Sequence, residues 1–376
     1  MGSAVCRIDY PRQPTSKRHL STTPSPAAIA WPEPARARAF DDWLQRIAAT
    51  HGLQVASLAA ASSDASFRRY FRIQGAAGHS FIVMDAPPPQ EDVRPFIRVA
   101  GLLHDAELNA PRVLEADEFH GFLLLTDLGS RLYLHALNDA VAAGAMPVAD
   151  ALMRDAVRSL IQWQLRGDAS ALPAYDDALL RRELDLFPDW CVARECGAAW
   201  TAEEQQVWAS SCDLLVRSAL AQPTVAVHRD YMPRNLMVCE GDPRGPGILD
   251  FQDAVRGPIT YDVASLLRDA FISWEEEQEI DWAVRYWQAA RKAGLPMPDD
   301  FGDFWRELEW MGLQRHLKVL GIFCRLKHRD AKPAYSKDLP RFFAYAHKVS
   351  ARYNALRPLS RLLEPLMGAS RIETYY

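Results

Sequence analysis

The stretch Thr224-Val-Ala-Val-His-Arg-Asp-Tyr-Met-Pro-Arg-Asn-Leu-Met-Val238 decides how this chain is read. An apolar β-type run, Thr224–Val227, ends in His228, Arg229 and Asp230. Asn235 stands five residues past that aspartate, and a short β run, Leu236–Val238, begins directly after it. Twenty residues beyond Asp230, another apolar run ends in Asp250-Phe-Gln-Asp253. Singly, Asp230 and Asn235 read as turn formers and Asp250 as a helix cap. Together, each beginning where a β run stops, they bring a carboxylate, an amide and a second carboxylate onto adjacent loops.

This is the H-x-D-x-x-x-x-N then D pattern of phosphoryl-transfer catalytic loops. The chemistry needs a carboxylate beside the attacking hydroxyl, to orient it and accept its proton, and Asp230 is expected in that role. It also needs hard oxygen ligands for Mg2+, expected from Asn235 and Asp250. The ion would neutralise charge on the bridging and transferred phosphoryl oxygens. His228, the remaining catalytic-loop residue, is expected to brace the loop rather than react.

Working outward, Phe40, Trp43, Leu44 and Ile47 have helical spacing. Two β runs follow, Ser66–Ile73 and Ser80–Met84, with Gly75 and Gly78 supplying the turn. A helix over about 92–108 and two more β runs, Arg112–Leu114 and Phe122–Thr126, lead to the connector Asp127–Gly129. Beyond Leu132 the pattern is helical: Met146–Arg166, Ala178–Cys196, Ala202–Ala221, Glu275–Ala293, Phe301–Leu326 and Leu339–Leu356. The β-like segments around Asp230 are the one interruption. The expected fold is α+β and bilobal, protein-kinase-like, with a small β-rich N-lobe (residues 35–129) and a larger, mainly helical C-lobe (130–376). Residues 1–34, rich in Pro, Ser, Thr and Arg without an apolar face, are expected to be a disordered extension.

Composition agrees with an ordinary metabolic enzyme. The 376 residues are 49% apolar and 24% charged, with net charge -5, which argues against a basic nucleic-acid footprint. The six cysteines form no C-x-x-C pair and are expected to be reduced. No apolar run approaches the ~18–20 residues of a membrane span. A cytoplasmic monomer is expected, with ATP and a small molecule as partners and neither nucleic acid nor membrane.

The segment Asp250-Phe-Gln-Asp253 with Gly257-Pro-Ile-Thr-Tyr-Asp262-Val-Ala-Ser-Leu-Leu-Arg-Asp269 resembles the aminoglycoside phosphotransferase-like kinases. In that family an aspartate past the metal site opens a helix and secures the catalytic loop, a loop-bracing role matched by Asp262. The resemblance covers about residues 40 to 345 and is strongest from Val225 to Asp269. Within it, four strings resemble the N-acetylmuramate/N-acetylglucosamine anomeric kinases of bacterial peptidoglycan recycling. They are Asp64-Ala-Ser-Phe-Arg-Arg-Tyr-Phe-Arg72, Val83-Met-Asp-Ala-Pro-Pro88, Asp250-Phe-Gln-Asp-Ala254 and Gln314-Arg-His-Leu-Lys-Val-Leu-Gly-Ile-Phe-Cys-Arg325. The resemblance implies ATP, Mg2+ and an amino-sugar acceptor phosphorylated at its anomeric hydroxyl to a 1-phosphate, toward UDP-sugars. A kinase for another small hydroxyl compound (aminoglycoside, choline or homoserine) and a nucleotide-binding pseudokinase scaffold are the alternatives.

Met84 stands where a kinase carries its third-strand lysine. Arginines of the preceding hairpin are the expected substitutes at the ATP phosphates. Strand alternation puts Arg68, Tyr70 and Arg72 on one face and Arg69, Phe71 and Ile73 on the other. The expected ATP-binding residues are Ser63, Ser66, Arg68, Arg69, Tyr70, Leu125, Asp127 and Leu128. Acceptor residues are expected among Arg229, Arg234, Tyr231, Arg315, His316 and Arg325, cations suiting a lactyl carboxylate and Tyr231 a sugar face.

Overall fold

The computed structural model describes residues 29–31, 33–63 and 67–367. The expected N-terminal extension and Ser66 therefore lie largely or wholly outside the described residues. The first helix, α1 (Pro34–His51), starts with proline in its first turn and stops at Gly52, whose left-handed φ of 62° lets its N–H bond the Ala48 carbonyl. Its Phe40, Trp43, Leu44 and Ile47 are buried. They pack on one face of a five-stranded antiparallel sheet: β1 (Gln54–Ser63), β2 (Arg69–Gln74), β3 (Ser80–Asp85), β4 (Val113–Asp117) and β5 (Phe122–Thr126), in the order β1-β2-β3-β5-β4.

Strand alternation divides this sheet cleanly. Phe71, Ile73, Val83, Phe122 and Leu124 face α1. Met84, Leu123 and Leu125 join Phe96, Val99 and Leu103 of α2 (Arg94–Asp105) in the main core. At the end of β3 the buried Asp85 receives Arg36 of α1 and Arg69 of β2, clamping helix to sheet. Strand β1 is an addition to the sequence expectation, whose first β run begins at Ser66. Its run of Ala59, Ala60 and Ala61 carries no apolar alternation, and pairing with β2 supplies the order instead.

The remainder is mainly helical: α3 (Tyr133–Ala142), α4 (Met146–Arg166), α5 (Asp177–Leu184), a π-helical turn (Phe187–Glu195) and α6 (Ala202–Ala221). Short strands follow, β6 (Thr224–Val227), β7 (Leu236–Met237), β8 (Gly247–Ile248) and β9 (Val255–Pro258). The chain then forms α7 (Tyr261–Leu267), α8 (Glu276–Ala293), α9 (Phe301–His328), α10 (Leu339–Arg352) and α11 (Arg357–Met367). The single helix expected over 178–196 is broken after Leu184, four residues before Pro188, which has no N–H to donate back to the Leu184 carbonyl. There α9 runs so close that a Cβ at Gly321 would lie 2.4 Å from the Leu186 carbonyl carbon. Two small antiparallel ladders, β6 with β9 and β7 with β8, frame the loop between Val227 and Leu236.

Candidate active site

The Asp230 loop is held by backbone bonds from several directions. Strand β6 ends at Val227, and the His228 and Arg229 N–H groups donate at 2.7 and 2.9 Å to the two carboxylate oxygens of Asp262, in the first turn of α7. Asp262 is wholly buried, and burial pushes its carboxyl up to about 7 against the two donors. Burial pushes His228 down to about 4, so the imidazole is neutral at pH 7. Its Nε2–H donates to the Leu249 carbonyl at 3.0 Å, leaving Nδ1 to accept the Asp230 N–H at 3.3 Å. The histidine thus ties the loop to the strand that delivers Asp250.

Asn235 closes the arrangement. Its side-chain amide donates to the Asp230 carbonyl at 2.9 Å and lies 3.4 Å from Asp250 Oδ2. The Leu249 N–H donates to the Asn235 carbonyl at 2.9 Å. Gln252 Nε2 bonds Asp250 Oδ1 at 2.9 Å. Asn235 and Asp250 both line a cavity of about 420 Å³ between sheet and helices. Two oxygen-bearing side chains at one wall suit a small hard cation that keeps water and phosphate oxygens as its other ligands. Among the described residues no group of three or more His, Cys, Asp or Glu gathers as an all-protein cage.

The same cavity is lined by Tyr70, Arg72, Ile82, Leu125, Asp127, Leu128 and Arg234. Arg72 bonds Asp127 at 2.6 Å, and Ser80 Oγ donates to the same carboxylate at 2.7 Å. Burial would raise Asp127, but these donors and the Gly129 N–H hold it below its ordinary value. Arg68 pairs with Glu91 at 2.9 Å. Ser63 pairs with Arg69 in the last register position of the β1–β2 ladder. Met84 is buried in the core beside Leu123.

Several expected residues point elsewhere. Arg69 is turned to the α1 side, where it binds Asp85 and the Ala30 carbonyl and lies over Trp31, so the ATP role expected of it is corrected. Tyr231 is fully buried, its hydroxyl donating to the Ala156 carbonyl at 2.8 Å, and offers no face to a sugar. His316 is also fully buried, stacked on Tyr345 with centroids 4.8 Å apart. Both side chains belong to the packing of the core. Arg229 turns inward to Glu183. Arg315 is buried on α9, within electrostatic reach of Asp262 and Asp269. Arg325 lies ten residues, about 15 Å along the helix axis, beyond Arg315. Of the six expected acceptor residues, only Arg234 lines the cavity, its guanidinium 4.8 Å from the Phe271 centroid.

One constellation was missed. Glu183 of α5 meets Arg229, Lys318 Nζ at 3.0 Å, and the Tyr175 hydroxyl, with Lys318 also 3.0 Å from the Tyr261 hydroxyl. Burial alone would raise Glu183, but the Lys318 and Arg229 charges hold it below its ordinary value. The members of this cluster, Tyr175, Glu183, Arg229, Tyr261 and Lys318, are scattered along the sequence, so no motif or spacing marks it.

Comparison with known proteins accords with this geometry. Residues 57–301 match the phosphotransferase enzyme family. The chain belongs to that family and is a kinase. It is 54% identical over 311 residues to the N-acetylmuramate/N-acetylglucosamine kinase of Pseudomonas aeruginosa, covering 83% of this chain and 89% of the relative. It is 46% identical over 333 residues to the protein of the same name from Neisseria meningitidis, covering 89% and 96%. Among solved structures, an ADP-bound aminoglycoside phosphotransferase superposes with TM-score 0.56 at 13% identity, over 87% of this chain and 99% of that one. That likeness shows the fold, a protein-kinase-like α+β architecture.

Proposed function

We propose that this kinase transfers the γ-phosphoryl group of ATP to the anomeric hydroxyl of N-acetylmuramate and N-acetylglucosamine. The product, a sugar 1-phosphate, would feed UDP-sugar formation in cytoplasmic cell-wall amino-sugar recycling. The observation that carries the substrate reading is the 46–54% identity, across most of the chain, to kinases named for these two sugars. The chemistry rests on Asn235 and Asp250 at the cavity wall, with the Asn235 amide tied to the Asp230 carbonyl.

Asp230 accepts the proton of the acceptor hydroxyl as that oxygen attacks phosphorus, and the bond to the β-phosphate oxygen breaks. His228 and Asp262 hold the loop from which it acts. Asn235 and Asp250 would hold Mg2+, which supplies neutralisation of charge on the phosphoryl oxygens when bound. Leu125, Asp127 and Leu128 form the connector beside adenine, with Tyr70 and the N-terminal hairpin above it. In place of a third-strand lysine, Arg72 on the cavity face and Arg68 supply the cations, with Ser63 closing β1 opposite Arg69. Arg234 is the acceptor-side cation, and it shares the buried Asp269 as an electrostatic partner with Arg315.

An ADP-release screen with Mg2+ tests this, offering N-acetylmuramate, N-acetylglucosamine, glucose, choline and an aminoglycoside. The two N-acetyl sugars should be turned over, with loss of reducing-end reactivity in the product. Turnover of choline or the aminoglycoside alone would overturn the substrate reading.

A further inference from the structure

Arg229, the residue immediately before Asp230, has a left-handed φ of 77°. In that region the Cβ of an L-residue crowds its own backbone, and a long side chain persists there only where its surroundings fix it. The two N–H bonds to Asp262 restrain the backbone entering the turn. The side chain is restrained separately, on another element. Its Nη2 meets Glu183 Oε1, its Nη1 reaches the Asp253 carbonyl at 3.5 Å, and its guanidinium lies 5.9 Å from the Tyr175 ring centroid.

Glu183 is in turn fixed from the opposite side. Lys318 of α9 holds it at 3.0 Å, Gln314 Nε2 lies at 3.5 Å, and the Tyr175 hydroxyl donates to Oε2. Lys318 also reaches the hydroxyl of Tyr261, the neighbour of Asp262. A single buried carboxylate thus joins α5, α9 and the catalytic loop. The peptide between Arg229 and Asp230 sets where the Asp230 carboxylate points.

We propose that Glu183 is a positioning residue for Asp230: by anchoring the Arg229 side chain, it holds the left-handed backbone from which Asp230 is presented. The proposal rests on the reading of Asp230 as the proton acceptor. It uses neither the identity of the acceptor nor that of the nucleotide.

The test separates backbone geometry from charge. Glu183→Ala should lower kcat about 100-fold, the size of effect a misplaced catalytic group gives, with KM for ATP and acceptor changed less than about threefold. Glycine adopts a left-handed φ without a partner. The pair Glu183→Ala with Arg229→Gly should therefore recover at least about tenfold of the lost kcat. Glu183→Ala with Arg229→Ala removes the same charges but keeps a Cβ, and should not recover. Should Glu183→Ala unfold (read by its thermal midpoint), Glu183→Gln and its two Arg229 combinations carry the comparison.

Equal rescue by Ala and Gly would assign the effect to charge relief and overturn the proposal. So would a loss confined to the acceptor KM, or wild-type kcat in a folded Glu183 variant. The assay uses whichever acceptor of the screen the wild type turns over. A wrong substrate reading then shows as a different acceptor, leaving the Glu183 comparison intact.

Discussion

Replacing Asp262 by Asn perturbs the loop with almost no change of volume. Two backbone N–H groups, at 2.7 and 2.9 Å, donate to a carboxylate with no exposed surface. Hydrogen bonds to a charged acceptor contribute about 1.5–3 kcal/mol each, so the pair holds the loop with roughly 3–6 kcal/mol. Burial opposes this: it lifts the carboxyl from 3.8 to about 7, a displacement worth about 4 kcal/mol. The sign follows for a raised carboxyl. The folded state is free of the burial penalty below about pH 4 and meets it progressively as pH rises through 7. The bracing bonds, by contrast, strengthen as the carboxylate forms. Asn keeps one acceptor and turns an NH2 toward the second N–H, leaving a buried donor unmatched at about 1–3 kcal/mol. If that falls on the aligned loop, kcat drops about 10- to 100-fold. Steady-state ADP release from pH 5.5 to 8.5 is the assay. The wild type should show a kcat limb near pH 7 that rises with pH and is absent from Asp262→Asn. A variant with wild-type kcat at pH 8 and the same limb would refute the bracing argument.

Three further outcomes are expected. Asp230→Asn and Asp250→Ala should each lower kcat by at least about 1000-fold, while circular dichroism and thermal midpoint show an intact fold; full turnover by either would contradict the mechanism. Glu309→Ala should lower unfolding free energy by about 3–5 kcal/mol in denaturant titration, because Arg268 at 3.1 Å and Arg352 at 2.7 Å lose a fully buried partner. A change under about 1 kcal/mol would mean the cluster is solvated. His228 is depressed to about 4, so its neutral form stabilises the fold above pH 6.5 and that stability is lost as pH falls toward 4. Relative to His228→Asn, the wild type should gain up to about 1.4 kcal/mol per pH unit across that window, a slope readable from denaturation at successive pH values.

The parts of the fold legible in the sequence are those where local chemistry and periodicity coincide. Helix α1 is marked by its apolar spacing, Pro34 and Gly52, and the catalytic loop by polar residues at fixed distances from β runs. Strand β1 was illegible because alanines and serines fill it, and β9 because Val255-Arg-Gly-Pro258 reads as a turn until β6 pairs with it. Among side chains, periodicity states which residues share a face but not what covers that face. On α9 Gln314, Arg315, His316, Leu317 and Lys318 are all buried, since neighbours enclose the helix on every side. Adjacent residues there meet different partners, His316 reaching Tyr345 and Lys318 reaching Glu183. Tyr231 follows the same logic: its place beside Asp230 invites a substrate role, but the loop's turn directs the ring into the core. The Glu183 cluster joins residues remote in sequence, and spacing carries no trace of it.

Phosphorus NMR of the product formed from ATP, Mg2+ and N-acetylglucosamine tests the central proposal most directly. A phosphomonoester resonance coupled to the anomeric proton is expected, formed by the wild type and not by Asp230→Asn. A resonance coupled instead to the C6 protons, or the anomeric signal at equal rate from Asp230→Asn, would contradict it.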